Sequence, residues 1–124
     1  MPSAAHERTA IATFALGHMS NDWTAGAMLL IAPAVVDAFG GGAPEVGAVL
    51  AAHGAAGALV YLPAGMLADR ATRRLPLLGL TFAWVTLGYF AASFTSSLAT
   101  FTLVVSVAVL GDAEIGRASC RERV

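Results

Sequence analysis

A short polar run interrupts the first long apolar segment of the sequence. It covers residues 17–22 and reads GHMSND. His18 and Asp22 are four residues apart and Asn21 is three from His18, so a helix would hold the three side chains close together on one face. A charge at the centre of a membrane helix costs about 2.5–3.5 kcal/mol on insertion scales, so Asp22 is expected to face a bundle interior or a wet cavity, or to be protonated. We predict that the triplet binds a polar substrate or carries a proton; a buried structural pair of His18 and Asp22 is the alternative.

A further histidine, His53, lies near the middle of the next apolar segment. It is a candidate for the same substrate or proton pathway if it faces the same cavity as His18. The alternative is a packing residue whose hydrogen bonds are satisfied within the core. The aromatic residues Tyr61, Trp84 and Tyr89 are expected to pack or to face lipid rather than to contact a ligand.

The second apolar segment ends in a charged stretch that reads GMLADRATRR over residues 65–74. Its skeleton consists of Gly65, Asp69, Arg70, Arg73 and Arg74. An acidic side chain near a helix C-terminus is disfavoured by the macrodipole, so Asp69 needs compensation from these arginines or from the N-terminus of another helix. Gly65 lies one turn earlier and leaves room for that helix to approach. The alternative is that the arginines only set membrane topology and that Asp69 is solvated.

In residues and location this stretch resembles the signature loop of the major facilitator superfamily, with Thr72 where the family usually has glycine. The run GHxxND resembles the first helix of the fosmidomycin-resistance-like branch of drug exporters. The resemblance implies an all-α bundle of twelve helices in two halves, with a central site between them. It also implies a proton-coupled exporter in which Asp69 and its arginines form a cytoplasmic latch that holds the outward-facing state. This chain would supply the first three helices and part of a fourth.

The elements that position these residues are apolar segments of membrane-spanning length. Of the 124 residues, 57% are hydrophobic and 12% are charged, and the mean hydropathy is +0.73. About 20 mostly apolar residues cross a bilayer as a helix. Glycines at 40–42 mark the end of the first segment, and Pro44 and Glu45 suit the start of the second. We predict spans at about residues 11–36, 46–67, 76–94 and 98–113, the last being too short to complete a crossing.

The arginines predict how the spans are threaded. Arg8 precedes the first span, and three arginines follow the second, whereas the other connections contain no Lys or Arg. Basic residues favour the cytoplasmic side, so residues 1–10 are predicted to be cytoplasmic and the protein to be a multi-pass protein of the inner membrane. Small residues of the second span share one face and predict close helix packing. They are Gly47, Ala51, Gly54, Ala58 and Gly65.

The final eleven residues, 114–124, differ in composition from the apolar run that precedes them. They read EIGRASCRERV and include the single cysteine, Cys120. The string resembles the conceptual translation of a common sequencing adapter, so we expect it to be an artefact that follows a truncated transporter domain at residues 11–113. A short basic cytoplasmic tail is the alternative.

The sequence also argues against several functional classes. It contains no lysine and no basic patch with interleaved aromatics, so nucleic-acid binding is not expected. Its histidines lack metal-ligand spacing, and glycines 40–42 lack the lysine of a P-loop, so we expect no metal, no cofactor and no enzyme. The expected partners are the bilayer, a small-molecule substrate, protons and the missing C-terminal half. A small four-helix multidrug exporter acting as a dimer, or a structural membrane subunit, remains the alternative.

Overall fold

The computed structural model describes residues 4–70 and 74–112, which form four α-helices. They are α1 (Ala4–Ala38), α2 (Ala43–Arg70), α3 (Arg74–Ala92) and α4 (Leu98–Ala108), and α4 continues into a 3-10 turn at Val109–Gly111. No strand occurs in these two ranges. The all-α prediction is therefore confirmed for the described residues. Each helix occupies one of the predicted apolar segments, while the crossing of a membrane stays a prediction.

A glycine cap ends α1 where the sequence predicts a stop. Gly40 has a φ of 75°, a left-handed conformation that glycine adopts without steric cost. Its N–H donates to the Asp37 carbonyl at 2.8 Å, and the Gly41 N–H donates to the Val36 carbonyl at 2.9 Å. These two bonds form a Schellman motif, which satisfies carbonyls that the helix end leaves free. The chain thus reverses direction within a few residues.

Side chains cap the starts of α2 and α4. The Gly42 N–H donates to Oε2 of Glu45 at 2.7 Å, so a carboxylate lies in the first turn of α2, where the helix dipole favours it. Ser97 is the N-cap of α4, and its hydroxyl accepts a hydrogen bond from the Thr100 N–H at 3.2 Å. Both caps fix short connections, so α1 pairs with α2 and α3 pairs with α4.

The apolar core lies near the end of the bundle that holds the α1–α2 and α3–α4 connections. It contains residues of all four helices, which lie at helical intervals on α1 and α4, where one face turns inward. These residues are Met28, Ala32, Val36, Val49, Ala92, Phe101 and Val105. The packing is therefore best defined on that side of the bundle.

Helices α3 and α4 approach closely through small residues. A Cβ placed on Gly88 would lie 2.5 Å from the Ala108 Cβ, and one placed on Gly111 would lie 2.8 Å from Cγ2 of Val85. Only glycine fits at these positions, which lets the two backbones come together. Because the Trp84 indole N–H donates to the Val107 carbonyl at 3.0 Å, a hydrogen bond joins the same two helices beside this contact.

The predicted packing face of α2 is wrong for the described part of the chain. Gly47 and Gly54 have no atom of another described element near their Cβ positions, and Ala51 and Ala58 are exposed. The helix is turned so that Val49 and His53 face the other helices instead.

Among the described residues, one helix is long and apolar enough to cross a membrane. It is the 21-residue stretch Ala43–Pro63 of α2, with a mean hydropathy of 1.5, and only 11% of its apolar window is buried inside the structure. Shorter apolar stretches occur in the other helices, at Gly26–Ala38, Gly79–Ala92 and Leu98–Gly111. Large apolar side chains are exposed on every helix, for example Leu30, Leu59, Leu87 and Leu103.

Candidate functional site

A hydrogen bond between the buried His53 and the half-buried Tyr89 joins α2 to α3. Nε2 of His53 lies 2.8 Å from the Tyr89 hydroxyl, and only 8% of the His53 side chain is exposed. The rings are tilted at 51° with centroids 6.4 Å apart, so the contact is made through the polar atoms and not by stacking. Either group can donate, depending on the histidine tautomer. The pair therefore forms a polar link between α2 and α3.

Packing around the pair fixes both side chains. On α2, His53 follows the core residue Val49 by one turn and precedes Gly57, whose Cβ position lies 3.7 Å from Cγ2 of Val109. On α3, Tyr89 follows Gly88, where the backbone meets Ala108. The close α3–α4 contact therefore determines where the tyrosine lies, and the α2 face that packs on α4 determines where the histidine lies.

The end of α4 packs against α3. The Cβ position of Gly111 lies 3.1 Å from the Thr81 carbonyl and 2.8 Å from Cγ2 of Val85. Asp112 directly follows this 3-10 turn and is half-buried. A further titratable side chain thus lies where the end of α4 meets α3.

A groove of about 330 Å³ lies between α1 and α3, next to the His53–Tyr89 pair. Its walls are mainly apolar and include Trp23, Met28 and Val85, with Thr86 and Tyr89 as the polar contributions. Tyr89 therefore belongs to both features: its ring lines the groove, and its hydroxyl contacts His53. A molecule in the groove would touch the same residue that holds the histidine.

The predicted triplet on α1 is only partly described. Residues 18, 21 and 22 lie within one uninterrupted helix, as their spacing requires. Asp22 is exposed and has an interaction partner. The side chains of His18 and Asn21 lie outside the described part of the structure, so their role in a substrate or proton pathway stays a prediction.

The predicted gating loop lies at the junction of α2 and α3. Helix α2 ends at Arg70, which is exposed and forms the basic end that suits a helix C-terminus. Asp69 falls in that last turn, which agrees with the position assumed for it. The structure does not describe the surroundings of Gly65, the side chains of Asp69 and Arg74, or any part of Arg73. The latch therefore stays a prediction.

One residue of the hydrogen-bonded pair, Tyr89, was not predicted as a site residue, because it was expected to pack or to face lipid. The available signal was a polar hydroxyl within an apolar segment. That signal was insufficient because sequence spacing cannot show which faces of two separate helices meet. In the described ranges, no group of three or more His, Cys, Asp or Glu side chains could hold a metal ion.

Comparison with known proteins gives no relative from which a function could be transferred. No protein family, curated protein or solved structure matches the chain. Over residues 4–70 and 74–112, the structure defines an all-helical arrangement with a part-buried hydrogen bond between His53 and Tyr89 and exposed apolar side chains on every helix. The major facilitator resemblance depends on the residue patterns at positions 17–22 and 65–74, and it remains a hypothesis.

Proposed function

We propose that this chain is the amino-terminal part of a multi-pass secondary transporter of the major facilitator kind, which exports a small molecule in exchange for protons. The observation that carries the proposal is a reversed distribution of polarity. His53 and Tyr89 hydrogen-bond to each other inside the bundle, while large apolar side chains such as Leu30 and Leu59, which are 82% and 77% exposed, point outward.

The energetics of the exposed surface favour a lipid environment. Each Å² of apolar surface removed from water contributes about 25 cal/mol, so an outward-facing leucine on each of four helices is costly in water. The same side chains avoid this cost when lipid tails or further helices cover them. The apolar window of α2 is only 11% buried, unlike the core helix of a water-soluble protein. These features support a bilayer and additional helices as the partners of this bundle.

The charge distribution supports a cytoplasmic N-terminus. The α1–α2 connection is short, so the two helices run in opposite directions, and Arg8 near the start of α1 lies toward the same end as Arg70 at the end of α2. The opposite end carries Asp37 and Glu45 but no arginine. By the positive-inside rule, the end with Arg8 and Arg70 is cytoplasmic. The inner membrane is the location that this topology favours.

Polar residues within the apolar segments support transport rather than a purely structural role. A polar or ionisable residue within a membrane segment is costly and marks a substrate or proton pathway by default. We assign that pathway to His53, which is buried, and, from their positions in the sequence of α1, to His18, Asn21 and Asp22. Asp69 with Arg70, Arg73 and Arg74 then acts as the cytoplasmic latch between outward-facing and inward-facing states. Coupling to protons is favoured over ATP, since the sequence has no P-loop.

The proposal is tested with the complete gene in cells that lack their own major drug exporters. We expect expression to raise tolerance to fosmidomycin or to lower ethidium accumulation, and a protonophore to abolish the effect. Unchanged tolerance and unchanged accumulation, with the protein present in the membrane, would contradict an export function. The 124-residue chain alone is expected to be inactive, because the central site needs both halves. Export by the short chain itself would instead favour the small four-helix exporter.

A further inference from the structure

We propose that Tyr89 is a positioning residue for His53, whose Nε2 it holds inside the bundle so that Nδ1 is the ring nitrogen that takes up and releases a proton. The place of this step in coupling rests on the proposed function, whereas the positioning of the ring rests on the geometry. Nε2 of His53 lies 2.8 Å from the Tyr89 hydroxyl oxygen. The two residues are 36 positions apart, so the bond forms only when α2 and α3 pack together.

Packing limits how the His53 ring can turn. A histidine side chain that is free in water samples several rotamers and can present either ring nitrogen. Here 8% of His53 is exposed, and Val49, one turn earlier, is 1% exposed. One turn later, the Cβ position of Gly57 lies 3.7 Å from Cγ2 of Val109. The surrounding side chains therefore restrict the ring, and the tyrosine hydroxyl selects the nitrogen that faces α3.

The two ring nitrogens of His53 have different surroundings. Nε2 is bonded to Tyr89. Among the described residues, Oγ of Ser106 is the one buried side-chain nitrogen or oxygen atom without a hydrogen-bond partner. Nδ1 of His53 therefore either reaches the surface of the bundle or has a partner of its own, and both give a proton a route to the ring. Since the bond at one nitrogen decides the state of the other, Tyr89 assigns proton exchange to Nδ1.

Uptake at Nδ1 leaves the bond to Tyr89 in place. In the neutral ring the proton is on Nε2, which donates to the tyrosine oxygen, and Nδ1 carries the lone pair. A proton from water adds to that lone pair, so one N–H bond forms and the ring becomes a cation. The Nε2–H bond to the tyrosine persists and becomes charge-assisted. A ring that accepted the tyrosine O–H at Nε2 would have to give up that bond to take a second proton.

The other elements around the ring contribute few titratable groups. Helix α1 faces the interior with apolar side chains, and α4 does the same with Phe101 and Val105. Asp112, after α4, is half-buried, whereas the remaining charged side chains that the structure describes on α1 and α2 are exposed. These are Arg8, Asp22, Asp37, Glu45 and Arg70. The group that the structure places within hydrogen-bond distance of the ring is the Tyr89 hydroxyl.

The test is NMR of the imidazole nitrogens in the 124-residue chain, labelled at histidine and placed in lipid. The signals of His53 are identified by their loss in His53→Gln. As the pH is lowered, we expect the Nδ1 signal to move from the lone-pair to the protonated position while Nε2 stays protonated. We expect the Nε2 signal to shift in Tyr89→Phe and to stay unchanged in the matched control Tyr61→Phe, which removes the hydroxyl of an exposed tyrosine.

Two results would overturn the proposal. One is a neutral ring with its proton on Nδ1, and the other is the same Nε2 signal in Tyr89→Phe as in the unsubstituted chain. If Tyr89→Phe does not fold, as judged by helicity and elution in detergent, a dipolar contact between Nε2 and a labelled tyrosine Cζ is measured in Tyr61→Phe, where Tyr89 is the remaining tyrosine. Absence of that contact would also overturn the positioning role.

Failure of the positioning role is separable from failure of the transport function. In the complete protein, we expect Tyr89→Phe to slow proton-driven ethidium efflux and Tyr61→Phe to leave it unchanged. Normal efflux in Tyr89→Phe would remove the tyrosine from coupling. Efflux by the complete protein together with an unshifted Nε2 signal in Tyr89→Phe would refute the positioning role alone. The expected His53 signals in a protein that exports nothing would uphold the positioning of the ring and refute the proposed function.

Discussion

The contact between Gly88 on α3 and Ala108 on α4 gives a quantitative test of the fold. A Cβ added at Gly88 would lie 2.5 Å from the Ala108 Cβ and 3.0 Å from its Cα. Optimal separation between carbon atoms is about 3.5–4.0 Å, so the added methyl group is about 1 Å too close. The side chain of Ala108 is a single methyl group, which cannot move aside by rotation. Gly88→Ala therefore forces the two helices apart.

The size of the effect follows from a matched control. Overpacking of a tight contact costs about 1–3 kcal/mol, while replacing a helical glycine with alanine returns about 1 kcal/mol of helix propensity. Gly54→Ala receives the propensity gain alone, since nothing lies within 4 Å of its Cβ position. We therefore expect the free energy of unfolding of Gly88→Ala to be about 1–3 kcal/mol lower than that of Gly54→Ala.

Unfolding in mixed micelles, followed by tryptophan fluorescence in a Trp23→Phe background, measures this difference. Trp84 is then the reporter, and its indole N–H bonds the Val107 carbonyl beside Ala108. We expect Gly88→Ala to change the Trp84 emission of the folded state and Gly54→Ala to leave it unchanged. Equal stabilities and equal emission in the two variants would refute the close α3–α4 contact.

Three further substitutions test other parts of the account. Asp22→Asn in the complete protein is expected to abolish pH-driven flux while membrane insertion stays intact; normal flux would remove Asp22 from the coupling pathway. Asp69→Asn is expected to slow turnover more than it weakens substrate binding, and an unchanged turnover would leave the arginines a topology role only. Gly40→Val places a β-branched residue at a φ of 75°, so the free energy of unfolding should fall by about 1–2 kcal/mol; an unchanged midpoint would contradict the cap.

Local signals in the sequence predicted much of the fold. The glycines after residue 39 predicted the end of α1, and the structure has a Schellman cap at Gly40 and Gly41. The start of α2 was predicted from Pro44 and Glu45, and Glu45 accepts a hydrogen bond from the Gly42 N–H. These features depend on contacts between residues close in sequence, which is why they can be predicted from one chain.

Contacts between helices were predicted less well. The small-residue face of α2 was expected to pack, but Gly47 and Gly54 face away from the other described elements. The close approach is made by Gly88 and Gly111 instead. A stripe of small residues shows that a helix could approach another one, and it does not show which neighbour lies opposite. Large side chains on the neighbouring helices decide that, and their directions depend on the whole bundle.

At the candidate site, too, the local feature was predicted and the contact between helices was not. His53 was predicted from its polarity within an apolar segment, and the structure places it in the interior with 8% exposure. Its partner Tyr89 was missed because the two residues are 36 positions apart, and no local spacing relates them.

The most direct test of the central claim is the side of the membrane reached by two short connections. Reporter tags inserted at Gly41 and at Thr72, in the chain expressed in cells, measure it. The account predicts opposite compartments, with the tag at Thr72 in the cytoplasm beside the arginines and the tag at Gly41 outside. Appearance of both tags in one compartment would contradict membrane threading, and so would recovery of the untagged chain as a monomer in water without detergent.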